Sequence, residues 1–303
     1  MLQRKIVFFG WLAALLLLQP LNGLASPLLD TTANAVNKQR LLVMGTAFTA
    51  GYTALLVSLN NSWYTEERTS FHFFNDNREW RNMDKAGHFW GAFHESRAGI
   101  DMLRWAGVPE KKAILIGGLT GLLLQTPIEI FDGYQPAYGA SVGDVVANAA
   151  GSAAVVAQQL AWHEVRIMPK FSFHTTRYAA VRPNVLGSSL GERALKDYNG
   201  QTYWLSADIG AFVKAESKYP KWLNIAVGYG AEEMVYNHEP SNQAAGFSAH
   251  RQYYLSPDLN LMHFKGRSKV LNTALYILSI VKVPAPALEY NRKDGLRLHP
   301  LYF

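Results

Sequence analysis

Hydrophobic periodicity changes once along this chain, near Met168-Pro169, and the change separates two kinds of structure. From Asn37 to about Trp162 the apolar stretches are long, rich in Ala, Leu and Gly and poor in β-branched clusters, which is helical patterning. Four helices are expected there, at about Lys38–Leu59, Asp84–Trp105, Glu110–Phe131 and Ser141–Trp162. The section Leu41–Leu59 carries no charge over 19 residues and is the best candidate to span a membrane. The segment Asp84–Trp105 is too polar to face lipid. Gly117, Gly118 and Gly121, and the pair Ala147 and Gly151, would let neighbouring backbones approach closely.

Beyond Met168-Pro169, Pro183, Gly187, Gly191 and Gly200 punctuate a loop-rich passage. Thr202–Phe212, Trp222–Tyr229 and Gln252–Phe264 then alternate aromatic and β-branched residues in the manner of strands. Asn272–Val283 fits helix or strand equally. Ala287–Phe303 ends on an aromatic residue, as outer-membrane barrels do, but three to five strands are fewer than the roughly eight of the smallest such barrel. The expected fold class is α+β: an antiparallel helical bundle, membrane-embedded or membrane-apposed, followed by a β-rich C-terminal domain. The corresponding segments are 1–25, 26–168 and 169–303.

The first of these reads as an export signal. Arg4 and Lys5 precede the apolar run Ile6–Leu18, and Gly23-Leu24-Ala25 resembles a cleavage site. Thirteen apolar residues fall short of a permanent span. The expected location is the bacterial cell envelope, membrane-associated and facing the periplasm. The chain has no cysteine, which excludes a disulfide framework, thiolate metal sites, a cysteine nucleophile and lipid attachment at a processed Cys. Lys and Arg exceed Asp and Glu by 29 − 23 = 6, but the basic residues are scattered among acidic neighbours, so nucleic acid is not an expected partner. A membrane and an envelope protein are.

The residues capable of chemistry concentrate on helices two to four. Asp84 and His88 are four apart and Glu95 lies seven further, which puts all three on one helix face. Glu129 and Asp132 end the third helix, and Asp144 and Asn148 open the fourth. Antiparallel packing with short connections would gather Asp84, Lys85, His88, Glu129, Asp132, Asp144 and Asn148. Simpler roles compete. Ser141 and Asp144 fit a capping box, and Asp84 and Lys85 fit a solvated helix start. His88 and Glu129 are flanked by apolar residues, where an ionisable group is costly unless paired. A histidine with several carboxylates can bind a divalent cation. Alternatively, His88 could serve as a general base oriented by a carboxylate, with Ser141 as nucleophile. The latter is weak, because Gly139-Ala-Ser-Val-Gly143 matches a nucleophile elbow in letters without a preceding strand.

Asp84-Lys85-x-x-His88-Phe89, Glu129-x-x-Asp132-Gly133 and Ser141-x-Gly143-Asp144-x-x-x-Asn148-x-x-Gly151 resemble the pattern of the VanZ-like proteins. More closely, they resemble the bacterial domain-of-unknown-function family 2279, whose enteric members are described as predicted periplasmic lipoproteins. The motifs cover Asn82 to Ala154. Asp197–Ser206, Gly228–Glu232 and His299–Phe303 look like the longer form of that family. The resemblance implies an envelope protein and carries no activity with it. Asp132 stands where VanZ-like relatives have Gln, and no Arg precedes Ser141, so glycopeptide-resistance roles do not transfer. Of the lipid phosphatase pattern only Ser96-Arg97 is present.

Two functions therefore stand side by side. In one, His88, Glu129 and Asp144 are candidate catalytic residues, with Asp84, Lys85, Asp132, Ser141 and Asn148 as candidate ligand-binding residues. They would handle a lipid or cell-wall-linked polar group, with a divalent cation as the conceivable cofactor. In the other, an envelope structural or assembly protein uses the same cluster only to fix helix packing. The residues do not decide whether the protein is an enzyme.

Overall fold

A computed structural model describes residues 36–63, 67–136, 139–214 and 216–303. The expected signal segment 1–25 lies outside them. The fold is α+β, with helices in the N-terminal half and a six-stranded antiparallel sheet at the C-terminus. The chain forms two compact units, the first made of residues up to Asp76, Gly91–Val165 and Arg267–Thr273, the second of Asn77–Trp90, Arg166–Gly266 and Ala274–Phe303.

The first unit is helical. Helix α1 (Lys38–Trp63) contains the uncharged run Leu41–Leu59, and α2 (Met83–Trp105) contributes the part beyond Gly91. The third expected helix is two, α3 (Glu110–Gly117) and α4 (Thr120–Asp132), with the break at Gly118-Leu119. Taken together, Glu110–Asp132 is long and apolar enough to cross a membrane, judged by length and composition. Helix α5 (Val142–Trp162) follows a Ser141 cap. Phe93, Ile100, Ile114 and Val155 form the core. The glycines do what their spacing suggests. A Cβ on Gly121 would lie 2.1 Å from the Ala92 carbonyl oxygen, and one on Gly117 would lie 2.5 Å from the Ile100 nitrogen, so α2 meets α3 and α4 backbone to backbone.

The second unit is built on strands β1 (Ile167–Phe173), β2 (Gln201–Ala207), β3 (Leu223–Glu232), β4 (His250–Leu259), β5 (Ala285–Asn291) and β6 (Gly295–Tyr302), each paired with the next. Six strands exceed the three to five expected. Two differences account for this: the last stretch, Ala287–Phe303, holds parts of two strands, β5 and β6, and β1 was not expected at Pro169, which is tolerated because β1 is the first strand of the sheet, where a missing N–H does little harm. The ambiguous stretch Asn272–Val283 resolves as helix Lys269–Leu278 followed by Ile280–Lys282, which bonds to the other edge of β1 through Phe171. Trp204, Ala226, Tyr254, Ala287 and Tyr302 fill the enclosed side, and Trp204 lies so close over Gly228 that a Cβ there would be 2.7 Å from the ring.

Candidate functional site

The helical unit organises its polar residues around Ser141. As N-cap of α5, Ser141 accepts a hydrogen bond from the Asp144 backbone N–H through its Oγ (3.1 Å). Its own backbone N–H does not complete a capping box with Asp144. It donates instead to Glu129 Oε2 at 3.1 Å, and the Ser141 hydroxyl donates to Asp76 at 2.6 Å. Glu129, Ser141, Asp144 and Asn148 are all buried. The structure thus joins Glu129, Ser141 and Asp144 by direct bonds and adds Asp76, which no sequence spacing indicates. Asp132, the last residue of α4, is partly exposed one turn beyond Glu129.

A second polar layer lies deeper in the same unit. Ser96 and Ser152 bond to each other at 2.9 Å and accept from the Gly121 and Leu122 N–H groups, which the break before α4 would otherwise leave without partners. Gln125 donates to Glu95 at 2.9 Å, and Arg104 reaches Gln159 at 2.7 Å. Ser96-Arg97 is therefore a packing element of this layer.

Asp84, Lys85 and His88 belong to the second unit, on the first turns of α2, and all three are partly buried. Asp84 pairs with Lys85 at 2.8 Å and accepts from the Tyr198 hydroxyl at 3.2 Å. They are thus not a fully solvated face. Just before them, Trp80, Arg81 and Asn82 hold left-handed backbone angles (φ 43, 52 and 66°), a costly run for non-glycine residues. The Tyr229 hydroxyl fixes it by donating to the Arg81 carbonyl.

The sheet carries polar groups that sequence reasoning missed. On its enclosed side Lys170 meets Asp258, Lys282 lies 3.8 Å from the same carboxylate, and Ser206 donates to it at 2.6 Å. Further along, Glu289 accepts from Gln252 and Asn291 and meets His299 at 2.6 Å. Period-two alternation was visible in these strands, but alternation alone does not say which face is enclosed.

In chemical terms, Glu129, Asp144 and Asp76 offer hard oxygen donors of the type divalent Mg, Ca or Mn prefers, and Ser141 is committed to capping and to Asp76. Comparison with known proteins gives one family match: the model described as a predicted periplasmic lipoprotein, DUF2279, matches residues 72–159. That segment contains Asp76, Asp84, His88, Glu129, Ser141, Asp144 and Asn148. The likeness to VanZ-like proteins has no counterpart in these comparisons. No curated protein and no solved structure matches the chain significantly.

Proposed function

We propose that this chain is an exported bacterial cell-envelope protein, membrane-associated and facing the periplasm, whose buried polar residues hold the polar group of a lipid or of a cell-wall-linked molecule. The observation that carries the site is the pair of buried carboxylates, Glu129 and Asp144, organised through Ser141 at the start of α5. Keeping carboxylates at such positions costs folding free energy unless they are compensated, and functional sites are where that cost is commonly tolerated. The description of the matched family supports export and envelope placement. It names a lipoprotein, the 303 residues contain no cysteine, and in this reading apolar protein surface provides the membrane contact.

In this reading Glu129, Asp132, Asp144 and Asn148 bind the ligand or a divalent cation that bridges to it. His88, with Asp84 and Lys85 beside it on α2, is a candidate proton-transfer group of the second unit in its own right and is tested by its own variant. The test is thermal unfolding of the full chain in detergent with Mg²⁺, Ca²⁺, envelope phospholipids and cell-wall fragments, for wild type, Glu129→Gln and His88→Ala. A specific ligand raises the melting temperature by mass action. A rise in wild type that is lost in Glu129→Gln supports the site. No rise with any compound sinks it.

A second reading has its own observation. The bonds of Ser141 to Glu129, Asp76 and the Asp144 amide fix how the loop after α4 enters α5. A cluster serving only that end belongs to a structural or assembly protein. Its signature is a Glu129→Gln variant that is markedly less stable, with no ligand response in wild type.

A further inference from the structure

The two faces of the sheet in the second unit differ in an unusual way. The enclosed face holds, beside the aromatic cluster around Trp204 and Tyr254, the buried polar residues Lys170, Asp258, Lys282, Glu289, Gln252 and Asn291, while the other face is largely aliphatic and open. The register makes this orderly. Leu205, Val227, Leu255, Leu288 and Leu298 are successive cross-strand partners on β2 to β6, and they are 44, 52, 50, 41 and 72% exposed. Two residues along each strand runs a parallel row, Tyr203, Tyr229, Tyr253, Tyr290 and Leu296. At the opposite end of the strands, the β2–β3 connection exposes Phe212 and Trp222. An aliphatic band is thus bordered by aromatic residues on both sides.

From this arrangement we infer that the open, aliphatic face of the sheet is embedded in a lipid bilayer, with the acyl chains against the aliphatic row and the tyrosine row at one headgroup level. Several observations choose lipid over a protein partner. An aromatic border on each side of an aliphatic belt is the pattern of membrane barrels, whose walls also alternate apolar-out with polar-in. The longest strands, β3 and β4, have 10 residues each. At about 3.4 Å per residue and a tilt of about 45°, such strands rise about 24 Å, close to the roughly 25 Å apolar band of such barrels.

Charge agrees as well. Beyond the tyrosine row, Arg78, Arg81 and Arg251 line a cleft of about 510 Å³ together with His238 and Glu239. Arg251 donates to the Tyr229 hydroxyl at 3.0 Å, which ties the cleft to the row. Beyond the opposite border, Lys214 and Lys218 are exposed. Both ends of the band therefore present cations at the height of anionic headgroups, although Arg81 is itself paired with Glu239. Among the described residues, Met83, Gly87 and Trp90 of α2 cover one part of this face, where they lie by Tyr203, Tyr229 and Phe171. The row from Val227 to Leu298 stays bare.

The inference rests on the envelope reading above for its setting and is independent of Glu129 and its neighbours. Because the chain has no cysteine, single cysteines can be introduced and spin-labelled without background. The set is Val227→Cys, Leu255→Cys and Leu288→Cys on the band, Tyr253→Cys and Tyr290→Cys on the border, and Arg292→Cys in the β5–β6 turn. The full-length protein is reconstituted in vesicles of phosphatidylethanolamine and phosphatidylglycerol.

The expected result is several-fold higher collision with oxygen than with a water-soluble nickel chelate at the band positions, intermediate values at the border and the reverse at Arg292→Cys. Lipid cannot hydrogen-bond the outer edge of β6, so an edge held at hydrocarbon depth has to be paired there, and its amides should exchange slowly in vesicles. Band positions that collide freely with the nickel chelate in vesicles overturn the inference. So does protection of the band in lipid-free buffer accompanied by dimerisation, which would assign the face to a second copy. Wild-type ligand response at Glu129 is scored separately, so either reading can fail alone.

Discussion

Lys170 and Asp258 form an ion pair of 2.5 Å inside the sheet although their strands, β1 and β4, are not neighbours. Both side chains are almost fully enclosed, and Lys282 joins them from the segment that borders β1. The pair links the first strand to the fourth across the enclosed side of the sheet. Asp258→Asn leaves two enclosed lysines without their counter-charge and should cost about 3–5 kcal/mol. Replacing the three together by Met, Leu and Met should cost far less, because no charge is then stranded. Denaturant midpoints of the two variants check this: equal losses would contradict it.

Ser141→Ala removes the cap of α5 and the bond to Asp76 at once. A lost cap costs about 1 kcal/mol, and a lost bond to a charged group about 1.5–3. Hydrogen exchange should locate the loss at the first turn of α5, with the Asp144 amide exchanging faster. Unchanged protection at Asp144 would show that the Ser141 oxygen does not hold that turn.

Two glycines give opposite expectations for the same substitution. Gly121→Ala drives a Cβ into the Ala92 carbonyl, so it should destabilise the helical unit by about 1–3 kcal/mol. Gly51→Ala places the methyl in open space on α1 and should be neutral or stabilising by up to about 1 kcal/mol. Melting temperatures of the two variants in the same detergent decide it.

The helices were legible because their signal is local: Ala- and Leu-rich runs, Gly117 and Gly121 four apart, and Ser141 ahead of Asp144 each follow from nearby residues. The break between α3 and α4 was not, since it depends on Ser96 and Ser152 accepting the Gly121 and Leu122 amides from other helices. β1 was hidden by Pro169, which is a breaker until an edge position makes it harmless. Alternation in β3 and β4 was plain, whereas the polarity of the enclosed side was not, because enclosure of Lys170 and Asp258 is decided by pairing over nearly ninety residues of chain. Glu129 could be singled out by its apolar flanks. Asp76, its link through Ser141, had no such mark.

His174, just past the end of β1, should make the second unit acid-sensitive. Burial holds its pKa below the ordinary 6.5, with His299 adding to the effect, although Glu232 and Asp197 pull the other way. Between the lowered value and 6.5 the unfolded chain binds a proton that the folded one excludes. The contribution to stability is therefore complete above 6.5 and is lost as pH falls through the lowered value. His174→Gln removes the titrating group while keeping a polar side chain of similar size. Unfolding free energies of wild type and His174→Gln, measured from about pH 8 to about pH 5, should converge or cross on acidification, because only the wild type loses this term. A difference that stays constant over the range would mean that His174 binds its proton equally in both states, and burial would then not be what governs it.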